Sequence, residues 1–184
     1  SLALEQDGFP KLFVVRALQN SDNRIAEGKT VTAYFLFAAL LWDPVQTLTR
    51  ELVGQGIPDY MAQQNAANEV ISRQIKITAI PKFITTAMRE VWGLQPKFHA
   101  QTGSRPARLL AHPRFRAAYD FLMLRAETGG ADTELVEWWT RFQGASEDEQ
   151  RLMSQPGQKK NQTRSGYKRN NRRSGPRKTN STES

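Results

Sequence analysis

Apolar residues between Ala33 and Phe142 recur at intervals of three and four, and runs that alternate every second residue are nearly absent. That spacing lines one face of an α-helix and cannot line one face of a strand. Phe83, Ala87 and Val91 fall at i, i+4 and i+8, as do Ile84, Met88 and Trp92. Leu135, Trp138, Trp139 and Phe142 fall at i, i+3, i+4 and i+7. Capping residues and prolines mark where such helices start. Thr32 precedes Ala33–Trp42, which is apolar on nearly all sides and therefore expected at the centre of the fold. Pro58, after the break at Gly54-Gln55-Gly56, opens a stretch to about Thr78; Pro81 opens Lys82–Trp92; Asp132 caps a last helix. The expected fold class is all-α, a compact helical body followed by a disordered basic tail.

The helix after His112-Pro113 is expected to use Pro113 as its first residue, where a fixed φ is no handicap. Phe115, Ala118, Tyr119, Leu122 and Ala126 then form one buried stripe. Arg114 and Arg125 share an azimuth at its edge and either buttress the core or face a ligand groove. Arg116 and Asp120 point to solvent and can pair across one turn.

Charge divides the chain unequally. Nine of the 26 Lys/Arg lie in residues 155–184 against one of the 18 acids, leaving 17 of each in residues 1–154. The formal charge of +8 therefore belongs to the end of the chain. With Tyr167 as its only aromatic, that end can bury little against an ordering entropy of about 1–2 kcal/mol per residue. The expected division is a helical body over 1–143 and a disordered basic tail over 144–184, with the acidic Glu147-Asp148-Glu149 in a polar junction.

Several kinds of chemistry are excluded or disfavoured. Without cysteine there is no disulfide scaffold, thiolate nucleophile or Cys-based zinc site, and the composition fits a reducing, cytoplasmic setting. The two histidines, His99 and His112, are thirteen residues apart, unsuited to sharing a metal on one helix face, and read as a loop and a helix-capping histidine. Asp132-Thr133-Glu134 lies at a helix start, where acids suit the dipole. Gly54-Gln55-Gly56 lacks the lysine and the strand of a phosphate loop. The longest apolar run, Ala33 to Trp42, is ten residues, and about 20 are needed to span a membrane. The start, at Ser1, carries no signal-like segment and reads as part of something longer. No catalytic residues, metal ligands or cofactor site are expected in this chain.

What remains is polyanion binding. The tail cations Lys159, Lys160, Arg164, Lys168, Arg169, Arg172, Arg173, Arg177 and Lys178 would attract a phosphate backbone through counterion release. A second cluster, Lys97, Arg105, Arg108, Arg114 and Arg116, is interleaved with Phe98, His99 and Phe115. Cations among aromatics suit single-stranded RNA, whose bases stack while its phosphates pair. An acidic protein, an anionic membrane surface or plain solubility are the competing uses of such charge, the membrane disfavoured because the tail has no apolar residues to insert.

Arg105-Pro106-Ala107-Arg108-Leu109-Leu110, His112-Pro113-Arg114-Phe115-Arg116-Ala117-Ala118-Tyr119-Asp120-Phe121-Leu122 and Leu124-Arg125-Ala126-Glu127 closely resemble the C-terminal region of bacterial poly(A) polymerases. Asn23-Arg24, Phe35-Leu36-Phe37-Ala38-Ala39-Leu40-Leu41-Trp42, Ala79-Ile80-Pro81-Lys82, Glu90-Val91-Trp92, Leu94-Gln95, Trp138-Trp139 and the basic tail follow the same pattern in order. The resemblance implies a template-independent nucleotidyltransferase that adds AMP from ATP to single-stranded RNA 3′ ends and marks RNA for decay, with decay proteins as possible partners. ATP and Mg²⁺ are expected at a head carrying paired carboxylates, and that head is not in this chain. On this reading the chain is the RNA-binding C-terminal portion, inactive alone. The alternative is a free-standing helical RNA-binding protein. CCA-adding enzymes are related, but the His-Pro-Arg-Phe-Arg run and basic tail are not expected in them.

Overall fold

A computed structural model describes Ala17 and residues 32–157. Among the described residues every regular element is helical, as the periodicity predicts. The elements are α1 (Ala33–Leu40), α2 (Trp42–Gly54), α3 (Asp59–Ile77), α4 (Lys82–Leu94), a 3₁₀ helix (Gln95–His99), α5 (Arg105–Leu110), α6 (Phe115–Glu127), α7 (Thr133–Gly144) and α8 (Glu147–Met153).

Where one helix was expected over Ala33–Trp42, the chain breaks at Leu41 and restarts as α2. Pro44 explains the break: it has no N–H for the carbonyl of Leu40, and its ring would strike that carbonyl if the helix ran on. Asp43 then sits in the first turn of α2, where a carboxylate suits the helix dipole. Gly56, at φ +90°, turns the chain into α3, with Ile57 N–H donating back to Leu52 at 3.1 Å. Ala62, Ala66 and Ala67 on the buried side of α3 are small enough for close approach of its neighbours α2 and α4.

Two cores form, and α6 separates them. The first gathers Val45, Ile71, Met88, Val91 and Trp92 around Phe121 and Leu124. The second gathers Phe98, Leu109, Trp139 and Phe142 around Phe115, Ala118 and Leu122. The single stripe expected on α6 is thus only half of what it buries; Phe121 and Leu124 form a second face, and Ala126 is only partly covered. Each large side chain buried in this way contributes roughly 1.5–3 kcal/mol. Indole N–H groups join the elements: Trp92 Nε1 donates to Ala38 O at 3.1 Å and Trp139 Nε1 to Phe98 O at 2.9 Å.

Pro113 is not the first residue of α6. The helix starts at Phe115, after a turn in which Arg114 N–H donates to His112 Nδ1 at 3.0 Å. His112 therefore caps the turn, in keeping with its expected role. Asp132 caps α7 by accepting from Glu134 N–H at 2.9 Å. That helix is not the last one. The polar stretch expected to open the tail forms α8, started by a capping box in which Ser146 and Glu149 satisfy each other's backbone N–H groups. Gln150 Nε2 ties α8 back to Phe142 O at 2.9 Å. Helix therefore extends well beyond Gly144.

Candidate nucleic-acid interface

The five body cations singled out in the sequence fall into two groups. Lys97 on the 3₁₀ helix and Arg105 and Arg108 on α5 are exposed, and none of the three forms an ion pair among the described residues. Arg105 and Arg108, three apart, share one side of α5, whose other side buries Pro106 and Leu109. The 3₁₀ helix packs directly against α5, so Lys97 belongs to the same region.

Arg114 and Arg116 are committed within the protein. Arg114 Nε lies 2.9 Å from Glu90 Oε2, its guanidinium 5.0 Å from the centre of the Tyr34 ring, and its side chain is 38% exposed. The hydrogen bond with Glu90 raises its pKa above the ordinary arginine value and outweighs the opposing effect of burial. Arg116 Nε lies 3.3 Å from Asp120 Oδ1, the expected pairing across one turn; at 73% exposed it contributes only tenths of a kcal/mol.

Arg125 resolves the two roles left open for it in favour of the core. Nη1 donates to Gln95 Oε1 at 3.1 Å, Nη2 to Gly130 O at 3.0 Å, and the guanidinium lies 5.1 Å from the Trp42 ring centre. Burial pushes its pKa down to about 10, so it stays cationic at neutral pH. Gln95 in turn donates to Val91 O and Ala118 O, at 3.0 and 3.1 Å, so this one buried pair fastens α4 to α6.

Of the aromatics expected to stack on bases beside these cations, Phe98 and Phe115 are not available for stacking, while His99 is exposed. Phe98 and Phe115 lie in the second core, against each other and Trp139. Their interleaving with arginines reflects helix periodicity, one face to the core and the next to solvent.

One contact that local patterning does not show joins the end of α8 to the turn before α5. Gly103 N–H donates to Ser154 O at 2.9 Å. The end of α8 is thereby held against the turn that leads into α5, two residues before Arg105. The basic run Lys159, Lys160, Arg164, Lys168, Arg169, Arg172, Arg173, Arg177 and Lys178 lies outside the described residues. Gly103 has φ +69°, a left-handed conformation that glycine adopts without strain.

A shallow open groove of about 560 Å³ lies between α7 and α8, lined by Thr140, Arg141, Leu152 and Met153 among others. Its one acid, Glu149, is already engaged by Ser146, whose hydrogen bonds hold its pKa below the ordinary carboxylate value. Among the described residues no three His, Asp or Glu side chains come together to hold a metal ion. These residues do not fit Mg²⁺ or the phosphates it would carry, and no reaction step is assigned to them. Among the same residues no helix is long and apolar enough to cross a membrane.

Fold and surface together define, among the described residues, a helical module with exposed cations on the 3₁₀ helix and α5 that form no ion pair there. Residues 55–179 match the family described as polymerase A arginine-rich C-terminus, and the chain belongs to that family. It is 34% identical over 157 residues to poly(A) polymerase I of Haemophilus influenzae, covering 84% of this chain and 35% of that protein. It is 36% identical over 151 residues to poly(A) polymerase I of Salmonella typhi, covering 80% of this chain and 32% of that protein. The enzyme of the same name from Escherichia coli O157:H7 is 38% identical over 143 residues, covering 76% and 31%. The chain thus spans about a third of the length of the curated relatives it matches.

Proposed function

We propose that this chain is the RNA-holding C-terminal portion of a poly(A) polymerase, a polynucleotide adenylyltransferase that adds AMP from ATP to RNA 3′ ends and so promotes RNA decay in the cytoplasm. ATP, Mg²⁺ and the catalytic carboxylates belong to a head outside this chain. Two-metal transfer of this kind uses one ion to activate the attacking oxygen and another to steady the leaving pyrophosphate. The body and tail supply affinity and position for single-stranded RNA, and proteins of RNA decay are its partners.

The observation that carries this reading is the bond from Gly103 to Ser154, which holds the end of α8 against the turn before α5 and its exposed Arg105 and Arg108, while the basic run follows five residues after Ser154 in the sequence. On this reading the body cations and the tail cations act on the same RNA. Family membership supports the identity of the polyanion, since the relatives named above are poly(A) polymerases.

The test is binding and transfer measured side by side. The 184-residue chain is titrated with single-stranded RNA across a salt series, then incubated with RNA, ATP and Mg²⁺. Salt-sensitive binding with no lengthening of the RNA is expected. Absence of RNA binding would sink the reading, and lengthening by this chain alone would overturn the assignment of catalysis to a separate head.

A further inference from the structure

Phe83 is predicted from periodicity to share a buried face with Ala87 and Val91, and both of those are buried, yet Phe83 is 73% exposed. Ile77, the last residue of α3, is 80% exposed six residues earlier in the chain. Single exposed apolar residues are ordinary on protein surfaces. The α3–α4 corner differs in its charge. Residues 70–89 contain four Lys/Arg and no acid. Arg73 is paired with Glu69 at 2.7 Å and Arg89 donates to Asn68 Oδ1 at 3.0 Å. Lys76 and Lys82 are exposed and have no ion-pair partner among the described residues.

We propose that the α3–α4 corner is a second contact for single-stranded RNA, in which a base stacks on Phe83 and Lys76 and Lys82 take the flanking phosphates. An exposed ring together with exposed cations that form no ion pair among the described residues is what a site that holds a single strand without reading its sequence requires. The corner also supplies an accessible phenyl ring, which the Arg105–Arg108 region lacks, since Phe98 and Phe115 are buried there and His99 is the exposed aromatic of that cluster. A protein partner suits the corner less well, because lysine is depleted from the cores of protein interfaces. The proposal rests on the RNA-binding reading above and extends it to a new surface.

The experiment titrates the full 184-residue chain with a fluorescein-labelled single-stranded oligoadenylate, and separately with one carrying 2-aminopurine, whose fluorescence is quenched on stacking. Phe83→Ala is expected to weaken binding roughly tenfold and to abolish the protein-dependent quench, while Phe83→Trp retains both. Lys76→Gln with Lys82→Gln is expected to lower the salt slope by about 1.4, the equivalent of two phosphates on a single strand. Thermal unfolding of each variant confirms that the fold is intact, and Phe83→Trp and the lysine pair carry the test if Phe83→Ala does not fold. Unchanged affinity and quench in these variants, while Arg105→Ala with Arg108→Ala still weakens binding, would overturn the corner and leave the RNA reading standing. No binding by the unaltered chain would overturn both. A change in self-association without a change in RNA affinity would make the corner a protein contact and overturn the proposal.

Discussion

Arg125 Nε is buried and has no hydrogen-bond partner among the described residues, while the two terminal nitrogens of the same guanidinium are both engaged. Removing the side chain would leave Gln95 Oε1 unpaired in the interior, so Arg125→Ala is expected to cost about 2 kcal/mol in urea unfolding. Lysine cannot fork between Gln95 and Gly130, so Arg125→Lys should restore little of it. The pH dependence has a definite sign. Arg125 holds its proton to about pH 10 in the folded chain and to the higher, ordinary arginine value when unfolded. Between those values the unfolded chain binds more protons, so this residue's contribution to stability rises with pH across the window. Arg105 and Arg108 are opposite in character. They form no ion pair among the described residues, so Arg105→Ala with Arg108→Ala should leave the thermal midpoint nearly unchanged while lowering the salt slope of RNA binding by about 1.4. Loss of thermal stability instead would make them structural. The sequence shows two arginines, Arg114 and Arg125, bordering the core, but the chemistry of each depends on partners it cannot display. Glu90 lies 24 residues from Arg114 and Gln95 lies 30 from Arg125.

Among the helices, α8 shows how a short element is held by its ends. It buries none of its own residues fully, and its start is fixed by the Ser146–Glu149 capping box. Ser146→Ala should therefore lower amide-exchange protection in α8 roughly fivefold, the usual effect of losing a cap. The Glu149 pKa is lowered by hydrogen bonds from Ser146, backbone first and then side chain. A carboxylate lowered on folding stabilises above its unfolded pKa and loses that contribution as pH falls through the folded value. Exchange in α8 should thus rise in mild acid while α6 stays protected. The box is legible in the sequence as Ser146-x-x-Glu149, yet the three acids read first as a solvated junction because no apolar stripe follows them. The break between α1 and α2 was legible in Pro44 for the same kind of local reason. The exposure of Phe83 was not, since periodicity says which residues share a face but not how far a neighbouring helix extends over it.

At the scale of the molecule, α6 belongs to both cores, so neither can be lost without exposing the other's side of it. Trp42 and Trp92 sit in or beside the first core and Trp138 and Trp139 in or beside the second. Within each variant that keeps only one pair, tryptophan fluorescence and helix content by circular dichroism should report the same urea midpoint; separate midpoints in one variant would show two independent units. Truncation after Gly157 should leave that midpoint in place and reduce both RNA affinity and its salt slope, because the nine removed cations lie beyond the described fold. The all-helical class, most of the helix starts and the uneven charge were determined by the sequence by itself, since periodicity, capping and composition act between residues within a few positions. Which cations are left unpaired, which aromatics are exposed, and the meeting of α8 with the turn before α5 were decided only by the tertiary structure. Burial and ion pairing depend on neighbours in space, and here those neighbours are some twenty to fifty residues away along the chain.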